Sequence, residues 1–436
     1  MAPESPQSSS LAWPVRAIGL LDGVDEAWRR ALRVSVRALL LSRLVVWVAG
    51  AGALAVFGPA AQGARFDPAR LTSGFGAFGD LLVGPAARWD SVWFLAIAKD
   101  GYIGDDRTAF FPLYPTLVRG LGGTLVAGVA LSTAALFVAL VLLHRLVELE
   151  LGERVARASV TLLAFFPMAF FFSAVYSESL FLALSLGAFW CARRERWPAA
   201  GALGGLAAAT RSSGLLLLLP LAILYLRRAS VQRDEVVRGL RQRIDDLRRR
   251  VRPDVLWLAL LPGGLAAYLG GLWLNGRPVF TPFHAQEFWQ RHFHGPLAGI
   301  WQGTVAAWDG VRQLLSGSRT PVYFHHAAGD PFTVAGHNVV GFVFLIAALL
   351  ATWVTLRRLP LAYGVYAVCM LLFAISYPIA SEPLMSLPRF EIVVFPLAIG
   401  AAAWAIQRGA LRPLLAASAF GLVAFSGQFA AWAWVA

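Results

Sequence analysis

The sequence has few charged residues for its length. Asp, Glu, Lys and Arg make up 14% of its 436 residues and hydrophobic residues 58%, whereas about a quarter of the residues in soluble globular proteins are charged. This is too little charge to cover the surface of a soluble protein of this size. The composition therefore excludes an ordinary soluble domain and predicts an all-α polytopic membrane protein.

Lysine is almost absent, since Lys99 is the single lysine among 38 basic residues. The net charge of +13 would suit nucleic acid in a soluble protein. Here the arginines cluster in short segments between apolar runs, which is typical of cytoplasmic loops. We therefore predict membrane lipids and no nucleic acid as partners. The dominance of Arg, Ala, Gly and Leu is typical of a high-GC bacterial source, and we expect a multi-pass protein of a bacterial plasma membrane.

Cysteine and several catalytic motifs are also scarce or missing. The two cysteines, Cys191 and Cys369, lie inside apolar runs and are expected to be core residues. The sequence has no Walker motif, no G-x-S-x-G elbow and no H-E-x-x-H motif. The His-x-His and His-His pairs within 275–337 are compatible with zinc but lack a supporting cluster. We predict no cofactor and no metal site, and leave metal dependence open.

About eleven apolar runs have spanning or near-spanning length for a hydrocarbon core about 30 Å thick. They cover residues 38–58, 120–143, 158–176, 178–192, 198–211, 213–226, 254–274, 338–356, 361–379, 391–406 and 412–434. The stretch 158–226 is the hardest to divide, because short polar turns split it into segments that need tilt or re-entrance.

The distribution of arginine predicts the topology. Residues 1–36 lack a signal peptide and are expected to form a cytoplasmic tail before a membrane domain at 37–436. The other arginine-rich connections, including the basic loop 227–253, fall on the same side. The long connections 59–119 and 275–337 are then exterior, and their aromatic, Gly- and Pro-punctuated sequences predict folded caps with amphipathic interfacial helices. The C-terminus is expected outside.

The stretch from Arg88 to Pro115 interrupts the apolar runs with carboxylates, aromatic residues and prolines. Its periodicity predicts a short helix with Trp89, Trp93 and Ile97 on one face and Asp90 beside them. On the predicted topology the ionisable residues in or next to the spans all lie at the exterior face. A transporter would be expected to bury some of them at the bilayer midplane, so this distribution favours a site at the outer surface.

Asp90 is the leading candidate for chemistry. A poorly solvated carboxylate among aromatic side chains can act as a general base toward a hydroxyl group within hydrogen-bond reach. Asp followed by Ser-Val-Trp-Phe is equally an ordinary helix N-cap. The spacing alone does not separate the two interpretations.

Other candidates also have a functional and a structural interpretation. Asp105 and Asp106 follow a glycine and form a turn signal, which we favour, or an acceptor or cation site. Glu178 in Tyr-Ser-Glu-Ser lines a cleft or caps the next helix. Arg211 and Arg389 suit a lipid phosphate, or they are snorkelling or paired arginines, with Glu391 as a possible partner of Arg389.

These motifs together resemble a known family. Arg88-Trp89-Asp90, with Phe94, Ile97-Ala98 and Gly101-Tyr102 and then Ala109-Phe110-Phe111-Pro112-Leu113-Tyr114-Pro115, is similar to the signature of the GPI mannosyltransferase II (class V, PIG-V-like) family and its bacterial relatives. Later motifs follow in the expected order: Tyr176 to Phe181, Thr210 to Gly214, Ala285-Gln286-x-x-Trp289-x-Arg291 and Pro388-Arg389-Phe390.

The resemblance implies a GT-C glycosyltransferase that transfers mannose from a polyprenyl-phosphate carrier to a lipid or glycan acceptor on the exterior face, with inversion. It implies a base at Asp90. It also implies donor phosphate binding by Arg389 and Arg211, and a sugar or acceptor pocket formed by Tyr102, Asp105, Asp106, Glu178, Gln286 and Arg291. Eukaryotic members tend to have a glutamate shortly after the Gly-Tyr pair, where this chain has Asp105 and Asp106.

Two other functions remain open at this point. A transporter of lipid-linked sugars or polyprenols would share arginine-lined outer grooves but would move lipid without transferring sugar. An inactive relative that assembles cell-wall enzymes would retain complex assembly, and Asp90→Asn would have no effect.

Overall fold

The computed structural model describes residues 25–60, 62–227, 251–327 and 329–435. Every regular element in these ranges is helical, as the composition predicts. Most of the predicted cytoplasmic tail 1–36 and of the basic loop 227–253 lies outside the described residues. The helices are α1 Glu26–Phe57, α2 Gln62–Phe66, α3 Gly76–Leu82, α4 Asp90–Asp100, α5 Leu113–Gly120, α6 Leu125–Leu151, α7 Glu153–Ala164, α8 Glu178–Arg193, α9 Trp197–Thr210, α10 Leu218–Arg227, α11 Leu260–Leu274, α12 Thr281–His284, α13 Pro296–Leu315, α14 Pro331–Arg358, α15 Leu361–Ile375, α16 Leu387–Glu391, α17 Phe395–Gln407 and α18 Leu411–Ala430.

Five helical stretches in the described residues are long and apolar enough to cross a membrane. They are α1, α6, Pro253–Leu274, α14 and α18, and three shorter apolar stretches accompany them, Ser212–Arg227, α15 and α17. This confirms a multi-pass membrane protein but not the expected number of about eleven spans. The apolar runs between 158 and 211 give helices too short to count as full spans.

The core is built around α6 and α8, which pack side by side. Helix α6 also packs against α1 and α7, and α9 lies between α8 and α11. On the other side α13 packs along α14, and α17 joins α14 to α7. The interior is apolar and aromatic, so burial of this surface is the main force that holds the short helices in place.

Residues 168–177, between α7 and α8, are buried without forming a continuous helix. Non-helical backbone at membrane depth is tolerated only where the protein itself satisfies its polar groups. Arg43 of α1 does this: its guanidinium donates to the Ala169 carbonyl at 2.8 Å, to Ser173 Oγ at 2.8 Å and to the Ala164 carbonyl at 3.3 Å. Arg43 thus stabilises the interruption between helices that the sequence predicts within 158–226.

Glycines allow α9 to approach α11 closely, as the Gly-rich sequence predicts. A Cβ atom at Gly264 would lie 2.0 Å from the Gly205 carbonyl oxygen. A Cβ at Gly205 would lie 2.5 Å from the Leu260 carbonyl oxygen, and one at Gly201 would lie 2.1 Å from that of Trp257. Because the opposing atoms are backbone, they cannot rotate away.

Replacing Gly264 with alanine should therefore destabilise the protein by about 1–3 kcal/mol, the usual cost of overpacking. The neighbouring Gly263 is the matched control, since a Cβ there meets nothing within 4 Å. Gly263→Ala should be neutral or slightly stabilising, because alanine favours helix. Thermal unfolding of the two detergent-purified variants measures the difference, and equal midpoints would refute the close contact.

Polar residues gather at the two ends of α8, which is roughly 24 Å long for 16 residues. Glu178 begins the helix. At the other end Arg193 bonds to Glu150 at 2.5 Å, and Tyr363 donates to the same carboxylate at 2.7 Å. The charged groups thus lie in two layers separated by apolar packing, consistent with two membrane faces.

The two connections predicted to be folded caps do contain helices, α2 to α5 in 59–119 and α12 and α13 in 275–337. Helix α13 packs through Gly299, Gly303 and Gly310, while Leu297 and Trp301 on its outer side are exposed. An exposed apolar face on a helix of this kind is typical of contact with lipid.

Candidate active site

A cavity of about 430 Å³ lies between the two caps and the ends of the helices. This is within the range of small-molecule sites, about 300–1,000 Å³. Its wall combines aromatic side chains with a few charged groups. The charged and amide residues that line it are Asp90, Arg211, Gln286, Glu287, Arg291 and Arg389.

Asp90 is the first residue of α4, and its side chain lines the cavity. The N-cap position belongs to Trp89, which makes no side-chain capping bond. The N-cap interpretation of Asp90 was therefore wrong. Instead Oδ2 of Asp90 accepts a hydrogen bond from Arg389 at 2.5 Å, while Oδ1 accepts none from any described residue.

The predicted helix is present at 90–100, but Trp89 does not share its face. Trp89 has a φ angle of 53° and lies outside the helix, so it does not follow the helical periodicity. Its ring packs edge-on against Trp432 at 5.6 Å and Trp434 at 5.1 Å. Trp93 behaves as expected for a helical residue and stacks on Phe110 at 5.9 Å.

Four candidate residues from distant parts of the chain form one chain of ion pairs. Arg389 bonds to Asp90 through one nitrogen and, through Nε, to Oε1 of Glu178 at 2.7 Å. Arg211 reaches the same Glu178 oxygen at 2.8 Å. Two carboxylates therefore alternate with two guanidinium groups, which offsets the cost of removing each charge from water.

Glu178 is completely buried and does not line the cavity. Its carboxylate is therefore separated from the cavity, in contrast to its expected place in the sugar or acceptor pocket. The side chain of Asp90 is 16% exposed. Within the ion-pair chain, Asp90 faces the cavity, and Glu178 holds Arg211 and Arg389 from behind.

Glu391 is not the partner of Arg389. It is buried, and its Oε1 atom has no hydrogen-bond partner. The two residues are close in sequence on the short helix α16, but Arg389 extends toward Asp90 and Glu178. Proximity in the sequence therefore did not identify the ion-pair partners of Arg389.

Arg291 lines the cavity without an ion pair to any described residue. One nitrogen donates to the Met385 carbonyl at 3.3 Å, and the guanidinium lies 5.4 Å from the Phe390 ring. Arg211 approaches the same ring at 5.6 Å. Burial and the nearby positive charge of Arg389 lower the pKa of Arg291 to about 10, so it remains charged at neutral pH.

The formal charges at the site balance. Arg211, Arg291 and Arg389 each carry one positive charge, and Asp90, Glu178 and Glu287 each carry one negative charge, so three minus three leaves no net charge. Within this set Arg291 is the cation without an ion pair to a described residue. A cavity with an unpaired guanidinium group suits an anionic ligand.

Tyr102, Asp105 and Asp106 lie outside the residues that line the cavity. Asp105 pairs with Arg277, and Asp106 begins a short 3-10 helix. The Tyr102 hydroxyl donates to the Phe110 carbonyl at 2.7 Å. The turn interpretation of the two aspartates agrees with this structure, and these residues support the cavity wall rather than form it. Gln286 does line the cavity.

Sequence reasoning missed the contribution of the segment after α18. Trp434 lines the cavity, and Trp89 donates to the Ala433 carbonyl at 3.4 Å. Arg88 donates to the Ala430 carbonyl at 2.8 Å. No pattern near residue 434 indicates a site, because the contact joins positions more than 300 residues apart.

Among the described residues, no group of three His, Cys, Asp or Glu side chains is placed to hold a metal ion. The His-x-His pair is not gathered with further ligands: His294 Nδ1 is 3.0 Å from the His292 carbonyl oxygen. His337 instead lies 3.2 Å from Glu382.

Comparison with known proteins shows similarity over part of the chain. Residues 59–231 match the family model described as Mannosyltransferase (PIG-V). GPI alpha-1,6-mannosyltransferase 2 of Rattus norvegicus is 36% identical over 168 residues, covering 35% of this chain and 34% of that protein. GPI mannosyltransferase 2 of Chaetomium globosum is 30% identical over 264 residues, covering 50% of this chain and 53% of that protein.

The chain therefore matches from about a third to about a half of the length of these two relatives. Among solved structures, the oligosaccharyltransferase of Archaeoglobus fulgidus aligns with a TM-score of 0.36 and 14% identity, over 75% of this chain and 48% of that chain. The matched segment 59–231 contains Asp90, Glu178 and Arg211, three of the four members of the ion-pair chain. Residues 59–231 of this chain are thus similar to the mannosyltransferase (PIG-V) family.

Proposed function

We propose that this protein is a membrane glycosyltransferase that transfers mannose from a polyprenyl phosphate to a hydroxyl group of a lipid or glycan acceptor. The observation that carries the proposal is the cavity of about 430 Å³, which is lined both by a carboxylate, Asp90, and by a guanidinium group without an ion pair to a described residue, Arg291. One group suits proton removal and the other suits a phosphate leaving group.

The wall of the cavity supports a lipid-linked donor rather than a water-soluble nucleotide sugar. Phe110, Phe283, Phe293 and Trp289 line it together with the charged groups. An isoprenoid chain gains about 0.8 kcal/mol for each buried CH₂ group, so an aromatic wall contributes to affinity. The guanidinium groups suit the phosphate of such a donor.

Asp90 is arranged to act as the general base. Arg389 holds Oδ2, which leaves Oδ1 to accept a proton from the acceptor hydroxyl. As the new bond forms between the acceptor oxygen and sugar C1, the bond from C1 to the phosphate oxygen breaks. The proton moves to Asp90 and then to water, and the electron pair leaves with polyprenyl phosphate.

The mechanism has one displacement and therefore inverts the configuration at C1. Arg291 stabilises the negative charge that develops on the departing phosphate, and Arg211 and Arg389 add to the positive field. Glu178 fixes those two guanidinium groups without reaching the substrate. On this proposal the cavity opens at the exterior face, where the predicted topology places residues 59–119 and 275–337.

The direct test uses the purified protein in lipid nanodiscs with β-linked polyprenyl phosphate [³H]mannose and octyl α-mannoside as the acceptor. We expect a labelled disaccharide with an α linkage and stoichiometric release of polyprenyl phosphate. A β linkage would exclude inversion. If the donor instead crosses the bilayer of reconstituted vesicles and no sugar is transferred, the protein is a transporter.

Arg291→Gln should raise KM for the donor by about 10-fold to 100-fold, the effect of losing a charge-assisted contact worth about 1.5–3 kcal/mol. Arg277→Gln is the matched control, because Arg277 belongs to the same cap but pairs with Asp105 outside the cavity lining. Its donor KM should match the wild type. Steady-state kinetics with varied donor concentration measures both, and equal KM values would remove Arg291 from phosphate binding.

A further inference from the structure

The helix that carries Asp90 begins in an unusual way. The residue before it, Trp89, has φ 53° and ψ −117°, a region that residues with a side chain rarely adopt. Its indole makes no capping bond to the first turn. The start of α4 is therefore strained and lacks the usual local stabilisation.

Tyr176 supplies the missing contact from a distant part of the chain. Its hydroxyl accepts a hydrogen bond from the Asp90 backbone N–H at 3.1 Å and donates one to the Arg88 carbonyl at 3.0 Å. The two bonds flank Trp89 on both sides. One hydroxyl group thus bridges the strained residue and satisfies the first free N–H of the helix.

The same tyrosine also contacts the arginine that holds the Asp90 carboxylate. The guanidinium of Arg389 lies 4.5 Å from the centre of the Tyr176 ring. Tyr176 itself is fully buried, so it does not touch a ligand. Tyr176 therefore contacts both the Asp90 backbone and Arg389, the ion-pair partner of Asp90. Both contacts come from the buried core.

The backbone before Asp90 is fixed from the opposite direction as well. The Arg88 side chain donates to the carbonyls of Ala430 and Ala87, each at 2.8 Å. Ala430 is the last residue of α18. The strained conformation of Trp89 is therefore held between the core at Tyr176 and the end of α18, as such conformations require.

We propose that Tyr176 is a positioning residue for the reaction: its hydroxyl fixes the first turn of α4 so that Oδ1 of Asp90 points at the acceptor hydroxyl. This inference rests on the proposed function, in which Asp90 is the base. Without the hydroxyl, the Asp90 N–H and the Arg88 carbonyl lose their bridge and the Trp89 backbone relaxes. A displacement of about 1 Å is enough to lower a rate by about 100-fold.

The test compares Tyr176→Phe with Tyr114→Phe. Tyr114 is the matched control, because it is also fully buried, its ring also packs on Phe94, and its hydroxyl also makes two contacts, with Gly128 at 3.1 Å and Ser132 at 2.8 Å. Both variants lose a buried hydroxyl and keep the ring. We expect Tyr176→Phe to lower kcat by about 10-fold to 100-fold with an unchanged donor KM, and Tyr114→Phe to keep the wild-type kcat.

A double-mutant cycle with Asp90→Glu separates this inference from the proposed function. If Tyr176 acts through Asp90, adding Tyr176→Phe to Asp90→Glu should lower kcat much less than it does in the wild type. Equal factors in the two backgrounds, or equal kcat for the two tyrosine variants, would overturn the positioning role while leaving the proposed function intact. Full activity of Asp90→Asn would overturn both.

Discussion

Asp90→Asn is expected to lower kcat by about 100-fold to 10,000-fold, the usual contribution of a general base. The amide has nearly the size of the carboxylate and can still accept a hydrogen bond from Arg389, so the cavity keeps its shape. It is too weakly basic to take a proton from the acceptor. Donor KM should change little, because Asp90 acts on the acceptor side of the reaction.

Asp100→Asn is the control for this variant. Asp100 is the last residue of α4 as Asp90 is the first, and it does not line the cavity. Its kcat should equal that of the wild type. If Asp90→Asn also retains the wild-type kcat while the thermal midpoints agree, Asp90 is not the base and the mechanism fails.

Arg389→Gln is expected to have the second large effect, on both activity and stability. It removes the guanidinium that joins Asp90 to Glu178 and leaves two carboxylates close together, one of them fully buried. Breaking a buried ion pair on one side typically costs about 3–5 kcal/mol. We expect a clearly lower thermal midpoint and a loss of activity of at least 100-fold, since oxyanion-type donors are worth about that much.

The control for Arg389→Gln lies at the other end of α8. Arg193 also bonds to a carboxylate, that of Glu150, but its side chain is 33% exposed and far from the cavity. Arg193→Gln should lower the midpoint less, because partly exposed pairs contribute little, and should leave kcat unchanged. Equal losses of stability in the two variants would show that the ion-pair chain at Asp90 stabilises the protein no more than a partly exposed ion pair does.

Much of the membrane fold was predictable because hydrophobic length is a strong signal. The runs predicted at 338–356 and 254–274 correspond to α14 and to Pro253–Leu274. The stretch 158–226 was harder, because its helices are short and the break before Glu178 depends on a tertiary contact from Arg43. No local pattern reveals that contact.

Several residues of the candidate site were predictable from the sequence, but the ion pairs between them were not. Asp90 and Arg389 are 299 positions apart, and the sequence alone gave no reason to pair them or to insert Glu178 between Arg389 and Arg211. The sequence also assigned Trp89 to a helix face, because periodicity cannot show a residue with a positive φ angle. Trp434 was missed, since its role depends on the packing of α18 against Arg88 and Trp89.

The most direct test of the account is a cryo-EM structure of the Asp90→Asn protein in nanodiscs, saturated with polyprenyl phosphate mannose. We predict density for the donor in the cavity, with the phosphate within hydrogen-bond distance of Arg291, the sugar facing position 90 and the isoprenoid chain along the aromatic wall. Donor density at another site, or an empty cavity at saturating donor, would contradict the assignment of this cavity as the active centre.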